Sequence, residues 1–214
     1  MAAKVKRTRR YDSARRQDAA QRRRAAVVEA ARRLFLREGF SGTTIARIAM
    51  DAGVSEETVY KAFGNKIALV RAIRDQALAG AGPVHAERRS DRMQASENDP
   101  RQIIRGWGVL TMEVAPRVAP VLLLVRDAAA SDPELARLQA EMDAARLTRM
   151  THNARTLQEA GHLRRGISLD EATDVLWTYS SPELYEMLVI RRGWAVERYG
   201  QFIADAMIAA LLPD

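Results

Sequence analysis

The tripeptide Ala52-Gly53-Val54 constrains this chain more than any other feature. A short run with one apolar face lies on each side of it: Ile45, Ile48 and Ala49 before, Val59 and Phe63 after. Neither run can stand alone, because isolated helices shorter than about 12–15 residues are marginal in water. The two must bury their apolar faces against each other and against a longer neighbour. Gly53 permits the positive φ that a tight turn between crossing helices needs. Thr43-Thr44 opens the first run and Ser55 the second. Their hydroxyls can accept from the free N–H groups of a first turn.

The unit reads as a helix-turn-helix around residues 44–63. Its second helix projects Ser55, Glu57, Thr58, Tyr60 and Lys61 outward. Such a helix fits the major groove of B-DNA, and the N-terminus of the first helix can meet a phosphate. Arg47 joins this set from the exposed face of the first helix. Glu56 and Glu57 are acidic where phosphate is near. They suit the helix dipole, or one carboxylate reads a cytosine amino group; the dipole reading is preferred.

The longer neighbour precedes it. From Asp18 to Glu38, residues Val27, Val28, Ala31, Leu34 and Phe35 recur at spacings of three and four, and Gly39 supplies the stop. Lys66 starts a fourth helix that ends near Gly80. Ten of the first 24 residues are Lys or Arg, opposed only by Asp12 and Asp18, and the chain carries a net charge of +7. That balance points to a polyanion, either nucleic acid or an anionic membrane surface. Residues 1–17 read as a basic disordered arm, either a solvated tail or an arm that follows phosphates.

Residues 18–82 are therefore expected to form a helix-turn-helix domain, and residues 83–214 a separate helical domain. Residues 81–100 lack apolar periodicity and read as a linker with a helical piece around 84–94. Asp99-Pro100 is a start signal. Pro116 is expected to end one helix and Pro120 to open another. Ser131 with Glu134, and Ser168 with Glu171, have the spacing of capping boxes. Pro182 is expected to kink a helix, and the last helix runs from Trp194 to Leu212. The fold class is all-α, with about nine helices and no strand alternation.

Several functions are excluded. There is no cysteine, so disulfides, zinc fingers and thiol catalysis are out. No cofactor is implied. Glu159-x-x-His162 has the spacing of a di-iron bundle but occurs once, without partner carboxylates. No Ser/His/Asp set, phosphate loop or dinucleotide fingerprint can be ordered, which argues against an enzyme on a helical bundle. No apolar stretch approaches the ~18–20 residues of a spanning helix, and no leader is read. A cytoplasmic protein without a membrane partner is expected. A basic membrane-surface protein is the other reading; it requires Val27, Val28, Leu34 and Phe35 to be free for lipid.

The block Phe40, Thr43-Thr44, Ile48-Ala49, Ala52-Gly53-Val54-Ser55, Thr58-Val59-Tyr60, Phe63, Lys66 and Leu69 resembles the tetracycline-repressor (TetR) family of regulators. The resemblance covers residues 21–80, and the rest matches only in helical order and length. It implies that Thr44 holds a phosphate, that Tyr60 and Lys66 touch the DNA backbone, and that Ser55, Thr58, Tyr60 and Lys61 lie on the recognition helix. It further implies a ligand-responsive regulator, a repressor that binds a palindromic double-stranded DNA operator as a homodimer and is released by a small, largely apolar effector. A cavity among the helices after residue 100 would hold that effector, with Trp107, Met112, Leu123, Met142, Met150, Trp177 and Tyr179 as candidate lining. The last two helices would form the dimer interface through Leu184, Leu188, Tyr199, Phe202, Ile203, Ala206 and Met207. Gly106 and Gly108 beside Trp107 each cost about 1 kcal/mol in a helix; they make room for a ligand or for a close helix crossing.

Overall fold

The computed structural model describes residues 2–80, 82 and 84–213, leaving out the side chains of residues 2–14 and 16. Every regular element among them is helical. In chain order these are α1 (Ala2–Gly42), α2 (Ile45–Ala52), α3 (Glu56–Phe63), α4 (Lys66–Ala79), α5 (Ala86–Ser96), α6 (Pro100–Ala129), α7 (Pro133–Glu159), α8 (Leu169–Tyr179), α9 (Pro182–Tyr185) and α10 (Val196–Leu211). A π-helical stretch, Glu186–Arg191, continues α9. The chain divides into two compact units, residues 1–73 and 74–214. The division lies inside α4, and Arg74, Asp75 and Leu78 line a cavity of the second unit.

In the first unit α1 is the long neighbour that the two short helices need. Val27, Leu34 and Phe35 are each 1% exposed, and Ile48 and Val59 are wholly buried. These residues are not free for lipid. The burial of each such side chain contributes about 1.5–3 kcal/mol. Gly39 interrupts α1 with φ 76°, and Gly53 caps α2 in the left-handed region with φ 65°. α1 begins at Ala2, inside the stretch expected as a disordered arm. Its Ala, Lys, Arg and Gln residues are strong helix formers. Apart from Arg15 and Gln17, the arm's side chains lie outside the described residues.

In the second unit α6 packs against α5, α7, α9 and α10. It is one continuous helix through Pro116 and Pro120, not two. Each proline removes one backbone donor and strains the turn before it, and packing on several sides holds the helix together. The uninterrupted α6 is long and apolar enough to cross a membrane by length and composition, with a mean hydropathy of 1.6 over its richest window. In this fold 33% of that window is buried. Where α6 crosses α10 the backbones come close: a Cβ on Gly108 would sit 2.8 Å from the Gly200 carbonyl oxygen and 2.9 Å from the Ala204 Cβ. Gly108 thus serves a helix crossing, whereas the space beside Gly106 is filled by the Met93 side chain.

Helix starts differ in detail from expectation. Asp132, not Ser131, caps α7: its carboxylate accepts from Glu134 N and Leu135 N at 2.9 and 3.2 Å. Pro133 then takes the first helical position, where no N–H is needed. Ser168 and Glu171 do form a reciprocal capping box. Pro182 opens α9 instead of kinking α8. α10 starts at Val196, two residues later than expected.

Candidate functional site

α3 presents its outer face from a rigid base. Ser55 is its N-cap, accepting from Thr58 N at 3.2 Å, and the two side-chain hydroxyls meet at 2.8 Å. Glu56 and Glu57 fall in the first turn, where the positive helix terminus favours them. Glu57 is also paired with Lys61, 2.6 Å away and one turn on. That pair leaves this edge of α3 close to neutral. Tyr60 is 51% exposed with its ring outward. At the C-terminal end, Arg24 of α1 donates to the Ala62 carbonyl at 2.9 Å and lies over the Phe63 ring. Arg33 joins α1 to α2 through Asp51 at 2.7 Å.

The start of α2 settles which threonine faces outward. Thr44 is exposed and caps the helix, its hydroxyl accepting from Arg47 N. Thr43 is fully buried and donates to the Gly39 carbonyl at 2.8 Å, so it ties the kink of α1 and offers nothing to a phosphate. Arg47 is half exposed, with its guanidinium 4.0 Å from Glu38. Lys66 turns inward. Its ammonium donates to the Phe40 and Thr43 carbonyls at 2.8 and 2.9 Å and sits over the Phe40 ring. It fastens the α1–α2 junction to α4, which corrects its expected role as a phosphate contact. The outward set is therefore Thr44, Arg47, Ser55, Glu57, Thr58, Tyr60 and Lys61.

The second unit holds a half-open cavity of about 550 Å³, within the ~300–1,000 Å³ typical of small-molecule sites. α6 supplies an apolar stripe, Trp107, Leu110, Val114, Val118 and Leu122. Met142 and Met150 face it from α7, with Leu176 and Tyr179 from α8 and Tyr199 and Met207 from α10. Of the seven expected lining residues, Trp107, Met142, Met150 and Tyr179 reach it. Met112, Leu123 and Trp177 do not. Met112 fills the space beside Gly200, and Leu123 is buried in the core. Trp177 stacks under the Arg146 guanidinium at 4.3 Å. Of this stripe only Trp107 was among the seven expected lining residues, although the spacing of four from Leu110 to Leu122 marks the rest. Met112 lies five residues from Trp107, about 140° around the helix.

The expected dimer residues also separate. Tyr199, Ile203 and Met207 point into the protein's own core, at 2%, 1% and 4% exposure. Leu184 and Leu188 are half-buried against that core. Phe202 remains outward, edge-on to Trp194, and Met187 and Ile190 are exposed on the π-helical stretch. Among the described residues no cluster of three or more His, Asp or Glu side chains forms a metal site.

Residues 27–73, which hold this helix-turn-helix, match the family described as "Bacterial regulatory proteins, tetR family". The match is confined to this segment, 47 of the 214 residues. The chain is 46% identical over 52 residues to the HTH-type transcriptional regulator TtgR of Pseudomonas putida, covering 24% of this chain and 25% of the relative. The match thus spans about a quarter of that relative's length. The fold extends much further. The transcriptional regulator FadR from Bacillus subtilis, solved with stearoyl-CoA, superposes with a TM-score of 0.70 at 15% identity, over 87% of this chain and 98% of its own. A regulator from Saccharomonospora viridis, solved with choline, gives 0.67 at 21% identity, over 92% of this chain and 100% of its own.

Proposed function

We propose that this chain is a TetR-family regulator, a ligand-responsive transcriptional repressor of the cytoplasm. It binds a palindromic operator as a homodimer and leaves it when a small, largely apolar effector enters the cavity. One observation carries the reading. An exposed recognition helix on a packed base occupies one unit, and an apolar cavity of about 550 Å³ occupies the other. The B. subtilis and S. viridis proteins, solved with stearoyl-CoA and choline, support a small-molecule role for this fold. Met187, Ile190 and Phe202 supply the exposed apolar surface for a second copy.

Selection of genomic fragments by the purified protein tests this. Recovery of an inverted repeat supports the reading. In a salt titration on that repeat, Arg47→Ala lowers the slope of log K against log salt by about 0.9 per protomer, one phosphate contact each. Equal affinity for any DNA, or an unchanged slope, refutes the assignment of α2 and α3 as reader.

A further inference from the structure

Two polar side chains in the cavity wall have no partner in the protein. Tyr185 and Tyr199 are 7% and 2% exposed, meet edge to face with ring centroids 5.5 Å apart, and both line the cavity. A buried phenol ordinarily finds a partner, because an unpaired hydroxyl forfeits the bond it made to water. Among the described residues neither hydroxyl makes a hydrogen bond, and neither is sealed from the void. Two other buried groups of the wall are engaged: Trp107 Nε1 donates to Ser90 Oγ at 3.0 Å, and Asn153 Oδ1 accepts from Gln94 at 3.3 Å. Burial raises both phenol pKa values, and that of Tyr199 rises further beside Tyr185, so both stay protonated donors at neutral pH.

The arginines of the wall are each paired, and Glu87, which also lines the cavity, is exposed to solvent. Arg74 pairs with Asp75 at 2.6 Å, Arg146 with Asp143 at 3.3 Å and Arg149 with Asp91 at 2.7 Å. A charged guest would have to break one of these pairs or remain unpaired among apolar side chains, and both are costly. Trp107, Tyr179, Tyr185 and Tyr199 supply flat faces for a ring.

We propose that the cavity takes an uncharged, ring-bearing molecule with one hydroxyl or carbonyl oxygen, received by the Tyr185 and Tyr199 hydroxyls. This rests on the reading of the cavity as the effector site and specifies its chemistry.

Calorimetry and Trp107 quenching on the full chain, without DNA, test it with 2-naphthol, naphthalene, 2-naphthoate and 2-naphthylmethylammonium. 2-Naphthol should bind about ten-fold tighter than naphthalene, and both charged probes more weakly than 2-naphthol. The double variant Tyr185→Phe, Tyr199→Phe should bind 2-naphthol no better than naphthalene and keep its naphthalene affinity. Its melting temperature should equal or exceed the parent's, since it loses only unpartnered hydroxyls. Equal binding of 2-naphthol and naphthalene by the parent, tighter binding of a charged probe, full 2-naphthol affinity in the double variant, or no binding at all overturns the proposal. A protein that binds the probes in the expected order but selects no DNA sustains it and sinks the regulator reading alone.

Discussion

Replacing Gly108 with alanine should weaken the second unit, although alanine is the better helix former. The exchange gains about 1 kcal/mol of intrinsic helix propensity. Against that, the new Cβ would lie 2.8 Å from the Gly200 carbonyl oxygen and 2.9 Å from the Ala204 Cβ. Neither atom is the end of a flexible side chain, so α6 and α10 must move apart. Overpacking of this kind costs about 1–3 kcal/mol, and the net loss is about 1 kcal/mol, or about 2–4 °C in Tm for a chain of this size. Gly106 is the control, two residues away on the same helix. Its added Cβ meets the thioether of Met93, which can rotate aside, so Gly106→Ala should cost nothing or stabilise by up to ~1 kcal/mol. Urea melts followed by circular dichroism compare the two. The reasoning fails if Gly108→Ala is as stable as the parent, or if Gly106→Ala is the more damaged.

Lys66→Ala should destabilise the first unit by about 2 kcal/mol, because it strips a charged donor from the Phe40 and Thr43 carbonyls; an unchanged urea midpoint would leave Lys66 without its structural role. Hydrogen bonds from Arg126 and then Arg191 hold the Glu186 carboxyl below its ordinary pKa. Its contribution is therefore complete above the ordinary carboxylate range and lost as pH falls through the lowered value. Glu186→Gln should flatten the acid limb of stability against pH, and parallel limbs for parent and variant would contradict this. Tyr60→Ala should weaken operator binding about ten-fold while leaving the melting curve nearly unchanged, since the residue is 51% exposed; equal affinity in an anisotropy titration would remove Tyr60 from the interface.

The helix-turn-helix was legible because its signals are local. Gly53, the apolar positions Ile48, Ala49 and Val59, and the Ser55 cap each constrain a few neighbouring residues, and all agree. Where two local solutions have similar strength, sequence alone cannot choose. Thr43 and Thr44 offer the same hydroxyl, and only the backbone at the kink decides which is buried. Ser131 and Asp132 compete for one cap, and the carboxylate next to Pro133 wins. Pro116 and Pro120 read as breaks, yet the helices around α6 keep it whole. The second unit was harder because its helices carry apolar residues on more than one face. The α10 stripe of Tyr199, Ile203 and Met207 has the spacing of an interface, but the protein's own core consumes it. The cavity stripe on α6 followed a spacing of four, and choosing residues by size rather than angle drew in Met112 and Leu123.

The central claim is that one unit reads DNA and the other controls it through the cavity. Fluorescence anisotropy of a selected inverted-repeat fragment, titrated with protein in the presence and absence of 2-naphthol, tests it most directly. Two chains per fragment, affinity that falls steeply with salt, and release of the fragment as 2-naphthol saturates the protein are the expected results. One chain per fragment, or DNA affinity unmoved by a ligand that calorimetry shows to be bound, would contradict it.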